Sequence, residues 1–200
     1  MTPESVLPIL DTPRLRLRPL LTTDAEGLHG AFGDPAAMRF WDSPVSRDVT
    51  ETAQRIQWAL RFSPDQHAAW AVLSKHGPSF LGMVNYHHWE PWNRRLEVGY
   101  ILARPFWGQG LMSEAMSALL GHCFGRLGVH RVEASIEPAN LASIRLAERL
   151  GFRRESGLLR DRILVGGQFR SVLLYGLVDA DWLAQGGGGP PFAHVAGRYP

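Results

Sequence analysis

The sequence predicts an α/β fold in which a mixed β-sheet packs against helices, and three observations support this. Short runs that alternate apolar and polar residues, bounded by proline or glycine, indicate strands that bury one face. Longer runs with apolar residues three or four positions apart indicate helices. Their order is strand, two helices, three strands, helix, strand, helix and two strands, so about seven strands and about four helices form a layered domain.

The first half of the chain begins with a strand in which Leu15 and Leu17 point the same way. Thr22-Thr23-Asp24 precedes an apolar stretch and is a typical start for the first helix. Ser46 or Asp48 caps the second helix, which extends to about residue 62. Three apolar runs then indicate consecutive strands at residues 69–74, 80–86 and 96–102.

The second half begins with a helix after Gly110, whose apolar residues recur at helical spacing as far as Leu127. Gly128 ends this helix, because glycine readily adopts the left-handed conformation of a helix C-terminus. The remaining elements are a strand at 129–136, a helix at 140–150 and two strands at 152–155 and 169–177.

Length and composition indicate a single domain, which we place at residues 8–183. Residues 184–200 are rich in glycine and proline, so we expect a flexible tail there. The formal net charge is only +2 and the arginines are dispersed, which argues against a nucleic-acid partner. No apolar run approaches the ~18 residues of a membrane span.

The single cysteine, Cys123, has no partner for an intrachain disulfide and no metal ligand at suitable spacing, so we expect no metal. Residues 1–10 lack the basic start and apolar run of a signal peptide. These features favour a cytoplasmic protein, and either a monomer or a homodimer fits them.

Gly108-Gln109-Gly110 lies between a strand and a helix and forms the sharpest motif in the chain. Glycines let the backbone approach a ligand closely, and the first N–H groups of a helix have no internal acceptor. Such a turn can hold a diphosphate, although an ordinary glycine turn into a core helix has the same pattern. A dinucleotide-binding motif is excluded, because its third glycine and its βαβ start are absent.

This segment, Trp107-Gly-Gln-Gly-Leu-Met-Ser-Glu-Ala115, resembles the coenzyme A pyrophosphate loop of the GNAT acetyltransferases, and of their RimJ/RimL-type branch in particular. Three further segments resemble the same branch in the same order: Leu10 to Arg18 with Asp24-Ala25, Leu96-Glu-Val-Gly-Tyr100, and Asn140 to Phe152. The resemblance covers about residues 10–182 and implies a mixed, mostly antiparallel sheet whose central parallel strands splay apart.

The resemblance implies that acetyl-CoA binds in the splayed gap without a metal. The residues that would contact it are Ile101, Leu102, Trp107, Gly108, Gln109, Gly110, Leu111, Met112, Ser113 and Asn140. Asn140 also suits a helix N-cap, and one residue can serve both purposes. Pro105 stands where the superfamily often has arginine or glutamine, so a side-chain contact is lost there or is supplied by Gln109.

Glu97 is the first candidate for a base, and Ser143 for the donor of a proton to the leaving thiolate. Glu97 could equally be a salt-bridged strand residue, and Ser143 a small residue in a helical turn. Tyr175 is a weaker candidate, because core packing is the more common role of such a residue. Positioning the amine against the thioester also accounts for part of the expected rate.

Trp41, His87 and Trp89 fall in segments that form the acceptor cleft in the family, although core packing is the alternative for the tryptophans. His88 adjoins them as a cleft or surface residue. The acceptor is a primary amine: a protein N-terminus is favoured, and a small molecule is the alternative. Arg170 stands where the branch often has an acid. Because of this departure, the alternative remains that the protein is a non-catalytic module that binds acyl-CoA.

Overall fold

The computed structural model describes residues 7–77 and 80–187. Its strands are β1 (Leu10–Asp11), β2 (Leu15–Pro19), β3 (Ala68–Ser74), β4 (Phe80–Glu90), β5 (Arg95–Leu102), β6 (Arg131–Ile136), β7 (Arg153–Arg154), β8 (Leu159–Val165) and β9 (Gln168–Val178). Its α-helices are α1 (Ala25–Phe32), α2 (Pro35–Met38), α3 (Val49–Ala59), α4 (Leu111–Gly125), α5 (Leu141–Arg149) and α6 (Asp179–Ala184). Two 3₁₀ turns cover Thr22–Asp24 and Arg104–Phe106.

The strands form one mixed sheet, which confirms the predicted fold class. Their order is β1-β2-β3-β4-β5-β6-β9-β7, with β8 paired to β9 outside this path. Strands β5 and β6 run parallel, and the other pairs among the described residues are antiparallel. The crossover between β5 and β6 contains α4, as a parallel connection requires.

Two apolar clusters cover the two faces of the sheet. On one face, Trp70 of β3 and Met116 of α4 are fully buried in the larger cluster, which also includes Trp182 of α6. On the other face, Leu28 of α1 and Ile56 of α3 pack into a smaller cluster. Alternation along β5 explains the division, because successive side chains of a strand point to opposite faces.

Side-chain caps explain where α2 and α3 begin. The Asp48 side chain accepts a hydrogen bond of 2.8 Å from the N–H of Glu51, so Asp48 rather than Ser46 caps α3. Asp34 caps the short helix α2 in the same way, through the N–H of Ala36. No helix among the described residues is long and apolar enough to cross a lipid bilayer.

The sheet has two strands more than the sequence predicts. β1 has two residues, too few for a periodic pattern. The side chains of β8 do not alternate strictly between buried and exposed, and Arg160, Asp161 and Arg162 are all exposed. At the C-terminus, α6 ends at Ala184, one residue beyond the predicted boundary. Most of the predicted tail, residues 188–200, lies outside the described residues.

Candidate active site

A gap opens between the two central parallel strands, as the resemblance implied. β5 and β6 pair only through residues 95–97 and 131–133, although β5 continues to Leu102 and β6 to Ile136. Beyond Glu97 the facing backbone edges are no longer paired with each other. Ile101 and Leu102 lie on this unpaired part of β5. The arrangement leaves backbone hydrogen-bonding groups for a ligand, because such groups need partners when they are buried.

Glu97 occupies the last paired position of β5, at the apex of this gap. Its Oε1 atom accepts a hydrogen bond of 3.0 Å from the N–H of Ser135, on the far side of the gap. The side chain is only 20% exposed. The sequence prediction that Glu97 lies at the splay therefore agrees with its position in the structure.

The glycine loop leads from the end of β5 to the first turn of α4. Gly108 and Gly110 have φ values of 75° and 73°, a region that other residues rarely adopt. Gly110 is the N-cap of α4, and no side chain caps the helix. The backbone thus presents N–H groups and the positive end of the helix dipole, which together favour an anion.

The side chains of this loop support the loop itself. The indole N–H of Trp107 donates to the carbonyl of Leu102 at 2.7 Å. The Gln109 amide donates to the carbonyl of Pro105 at 3.1 Å. Arg104 forms an ion pair with Asp34 at 2.9 Å. Trp107 and Gln109 therefore fix the loop geometry, and any contact of their side chains with a cofactor stays a prediction.

Arg14 approaches the loop from the N-terminal strands, a role that the sequence did not predict. It donates from Nη1 to the carbonyl of Gln109 at 3.0 Å and from Nε to Glu114 Oε2 at 2.6 Å. Glu114 also accepts from the Thr12 hydroxyl at 2.5 Å and from the N–H of Arg14 at 2.9 Å. The first turns of the chain thus brace the loop and the start of α4. Arg14, Arg16 and Arg18 alternate with leucines in the sequence. This spacing fits the solvated face of a strand, so it did not indicate a contact with the loop.

Asn140 and Ser143 lie at the start of α5, which faces the gap from the α4 side of the sheet. Asn140 Oδ1 accepts from the N–H of Ser143 at 3.2 Å, so the N-cap role of Asn140 is confirmed. Burial raises the pKa of Tyr100 to about 12, against the opposing effect of a hydrogen bond with Ser143. Ser143 therefore lies close to the Tyr100 hydroxyl of the central strand β5.

Two histidines surround the Glu97 carboxylate. His88 Nδ1 lies 3.3 Å from Glu97 Oε2, and His87 Nε2 lies 3.9 Å from the same oxygen. Burial alone would raise the pKa of Glu97, but the bond with His88, the charge of His87 and the Ser135 N–H outweigh it and lower the pKa to about 2. Burial lowers the pKa of His87, whereas the bond to Glu97 raises the pKa of His88.

Regular pairing brings His87 to Glu97, and an irregularity in β4 brings His88 there as well. The register between β4 and β5 shifts between His87 and Glu90, and His88 has a φ of 50°. His87 pairs directly with Glu97 and shares its face of the sheet. In a regular strand, His88 would point to the opposite face. The bulge redirects the His88 side chain to the carboxylate.

Trp41 and His87 lie on the same face as Glu97, as predicted for acceptor-cleft residues. Trp41 packs against the smaller cluster, with its ring centroid 5.7 Å from that of Phe32. Trp89 instead packs against the larger cluster on the opposite face. The structure therefore brings His87 to Glu97, places Trp41 on the same face of the sheet, and places Trp89 on the opposite face.

Arg170 connects the Trp41 segment to the sheet. Its Nη1 atom donates to the carbonyl oxygens of Arg39 and Trp41, each at 3.2 Å, and to Glu137 Oε1 at 2.9 Å. The side chain is 27% exposed. Where the resemblance led us to expect an acid, this chain thus has a cation that binds the loop after α2.

Cys123 and the weaker candidate Tyr175 both have core positions. Cys123 is fully buried, and burial raises the pKa of its thiol, which makes a thiolate nucleophile unfavourable. Tyr175 is buried as well, with its hydroxyl 3.4 Å from Glu148 Oε1.

Comparisons with known proteins agree with this geometry. The family model described as "Acetyltransferase (GNAT) domain" matches residues 14–153. The uncharacterized N-acetyltransferase p20 of Bacillus licheniformis is 32% identical over 174 residues, which are 86% of this chain and 97% of that protein. The [ribosomal protein uS5]-alanine N-acetyltransferase of Escherichia coli is 36% identical over 85 residues, covering 42% of this chain and 43% of that protein.

Among solved structures, RimL, a ribosomal L7/L12 alpha-N-protein acetyltransferase in complex with coenzyme A, has a TM-score of 0.75. It is 24% identical, and the match covers 86% of this chain and 98% of RimL. This likeness concerns the fold.

Proposed function

The chain belongs to the GNAT acetyltransferase family, and on that premise we propose that it transfers the acetyl group of acetyl-CoA to a primary amine. A protein N-terminal α-amine is the favoured acceptor, and a small-molecule amine is the alternative. RimL and the uS5-alanine enzyme are both named for ribosomal-protein acetylation, which supports the first choice. The expected location is cytoplasmic, as a monomer or a homodimer.

One observation carries the proposal: the gap and the anion cradle lie at consecutive positions of the same strand-loop-helix unit. The unpaired edge of β5 at Ile101 and Leu102 would accept the amide-containing pantetheine arm. The loop residues 108–113 would hold the pyrophosphate through their N–H groups. Leu111 and Met112 supply the first backbone groups of α4, and Ser113 adds a hydroxyl. Asn140 would approach from the opposite side of the gap.

The chemistry follows from the groups around the gap. An amine must be neutral before it can attack the thioester carbonyl, and the thiolate that leaves must be protonated. Glu97 presents a negative charge at the apex, which attracts an ammonium group and stabilises positive charge on the attacking nitrogen. Ser143 is the proposed proton donor to the thiolate. Direct attack within a ternary complex fits the buried state of Cys123.

An acceptor panel tests this function. Release of free coenzyme A is measured with acetyl-CoA and peptides that begin with alanine or serine, and in parallel with spermidine and free amino acids. We expect turnover on peptides, and acetylation of the α-amine by mass spectrometry. Turnover only on small amines would replace the favoured acceptor. Tight acetyl-CoA binding without turnover on any amine would favour the non-catalytic acyl-CoA-binding module instead.

A further inference from the structure

His88 and Glu97 form a hydrogen-bonded pair whose outer end is open to solvent. The Nδ1 atom of His88 lies 3.3 Å from Glu97 Oε2, and the His88 side chain is 76% exposed. Its Nε2 atom makes no hydrogen bond within the part of the chain that the structure describes. A carboxylate that holds one nitrogen of an imidazole leaves the other nitrogen free to take a proton.

The backbone at His88 is held in a conformation that has an energetic cost. A φ of 50° is uncommon for a residue other than glycine, although histidine tolerates it better than most. Such outliers persist where the surrounding structure enforces them, and they concentrate at functional sites. Here the outlier is what places the imidazole beside Glu97, on the face that carries Trp41.

The pKa of Glu97 is too low for this carboxylate to remove a proton readily from the acceptor's ammonium group. Its pKa is lowered to about 2, whereas a free α-amino group has a pKa of about 7.7–8.0. Transfer of a proton from that ammonium group to Glu97 is therefore strongly unfavourable. The pKa of His88 is raised above the ordinary histidine value of 6.5, so transfer to an imidazole is far less unfavourable.

We infer that His88 is the catalytic base of the proposed acetyl transfer and that Glu97 is the residue that orients it. Nε2 of His88 accepts a proton from the acceptor's ammonium group, while Glu97 holds Nδ1–H and stabilises the imidazolium. The neutral amine then attacks the thioester carbon, the C–S bond breaks, and the thiolate takes up the second proton lost by nitrogen. The imidazolium returns its proton to water, for which its exposure provides a path.

The charges that face His88 come from three strands. Glu97 and Arg95 lie on β5, His87 precedes His88 on β4, and Arg162 lies on β8. The bond to Glu97 raises the pKa of His88 and outweighs burial and the charges of the two arginines, which lower it. The ligand atoms of His87, His88 and Glu97 also lie within 4.8 Å of one another, a spacing that a metal ion accepts. The positive charge of the arginines opposes a cation, and the experiment tests for one directly.

The inference rests on the proposed function, and a pH profile separates the two. We compare kcat/KM from pH 5.5 to 9 for the wild type and His88→Asn, with a peptide that begins with alanine and with spermidine. Asparagine keeps the positive φ but does not titrate. In the wild type, activity rises with pH as His88 loses its proton. In His88→Asn the rise should follow only the loss of the amine's own proton, so its midpoint should move toward the pKa of the amine, about 7.7–8.0 for the peptide, and kcat/KM should fall about a hundredfold.

Chemical rescue distinguishes a base from a structural residue. Glycine at position 88 accepts the φ of 50° and leaves an exposed space where the imidazole ring was. Added imidazole should therefore raise the activity of His88→Gly at least tenfold. The matched control is His130→Asn, since His130 has the same kind of pair, with Asp179 at 3.1 Å and 54% exposure, away from the gap. We expect His130→Asn to retain wild-type activity and to show no response to imidazole.

Histidine NMR titration gives a readout that needs no turnover. We expect His88 to titrate above 6.5 in the wild type and lower in Glu97→Gln. An active wild type whose His88→Asn variant keeps the same pH limb, or a His88 titration unchanged in Glu97→Gln, would overturn the inference alone. Activity lost with EDTA and restored by Zn²⁺ would assign the three residues to a metal and overturn it too. A wild type inactive on every amine would remove the proposed function and the inference together.

Discussion

Arg170 and Trp41 are separated by 129 positions in the sequence, yet the guanidinium of the first donates a hydrogen bond of 3.2 Å to the carbonyl of the second. The same Nη1 atom reaches Glu137 on the loop after β6. Strand β9, the loop after α2 and the loop before α5 are thereby tied together beside the face that carries Glu97. This contact fixes one wall of the proposed acceptor cleft.

Arg170→Ala is therefore expected to weaken binding of the acceptor and to leave binding of the cofactor unchanged. The KM for the acceptor peptide should rise about tenfold, which corresponds to the loss of a charge-assisted contact worth roughly 1.4 kcal/mol. The Kd for acetyl-CoA should stay unchanged. Hydrogen exchange at residues 39–42 should become faster. Arg153→Ala is the control, because it removes an exposed ion pair with Asp181 at 3.0 Å. An equal rise in both constants would contradict this division.

Gly108→Ala tests the anion cradle. Alanine at a φ of 75° is strained by roughly 1–2 kcal/mol, and relief of that strain would tilt the N–H groups of the loop. We expect acetyl-CoA to bind about tenfold more weakly by calorimetry. Gly166→Ala is the matched control, since Gly166 also has a positive φ, 56°, but lies in the β8–β9 turn. It should lose similar stability and bind acetyl-CoA normally. Equal weakening in both variants would argue against a local role of Gly108.

Glu114→Gln is expected to destabilise the protein by about 2 kcal/mol at neutral pH, because a charge-assisted network loses its charge. Burial raises the pKa of Glu114, but its bonds with Thr12 and Arg14 outweigh this and set the pKa below the ordinary 4.5. A lowered carboxyl pKa contributes stability that is complete above 4.5 and is lost as the pH falls through the folded-state value.

The difference in urea stability between wild type and Glu114→Gln should therefore shrink as the pH falls from about 5 to about 3. Glu26→Gln is the control, because Glu26 is an exposed helix residue. Its effect should be small at every pH. A Glu114→Gln difference that does not change with pH would show that the charge of Glu114 is not what stabilises the fold.

Cys123→Ala is expected to keep wild-type kcat/KM, because a fully buried thiol whose pKa is raised cannot act as a nucleophile. Initial-rate plots should intersect, as for a ternary complex, and mass spectrometry should detect no acetylated protein after incubation with acetyl-CoA alone. An acetylated wild type that is not acetylated in Cys123→Ala would contradict direct attack.

The sequence predicted the central elements because their signals are local. The apolar spacing of α4, the continuous apolar run of β3 and the alternation in β5 reflect which faces are buried, and the residues themselves encode this. The same holds for the glycine loop and for the N-cap role of Asn140. The resemblance then predicted the splay of β5 and β6, which no periodicity reveals.

The remaining features depend on contacts between distant positions. Arg14 reaches Gln109 across 95 positions, and Arg170 reaches Trp41 from the other end of the domain. A bulge, which follows from the pairing of two strands rather than from either one, turns His88 toward Glu97. Neither residue spacing nor composition carries such information.

Calorimetric titration of the purified protein with acetyl-CoA tests the central claim most directly, since every proposed step starts from a cofactor held at residues 108–113. We expect one molecule to bind per chain with micromolar or tighter affinity, and to bind more weakly to Gly108→Ala than to Gly166→Ala. Absence of binding to the wild type would contradict the claim.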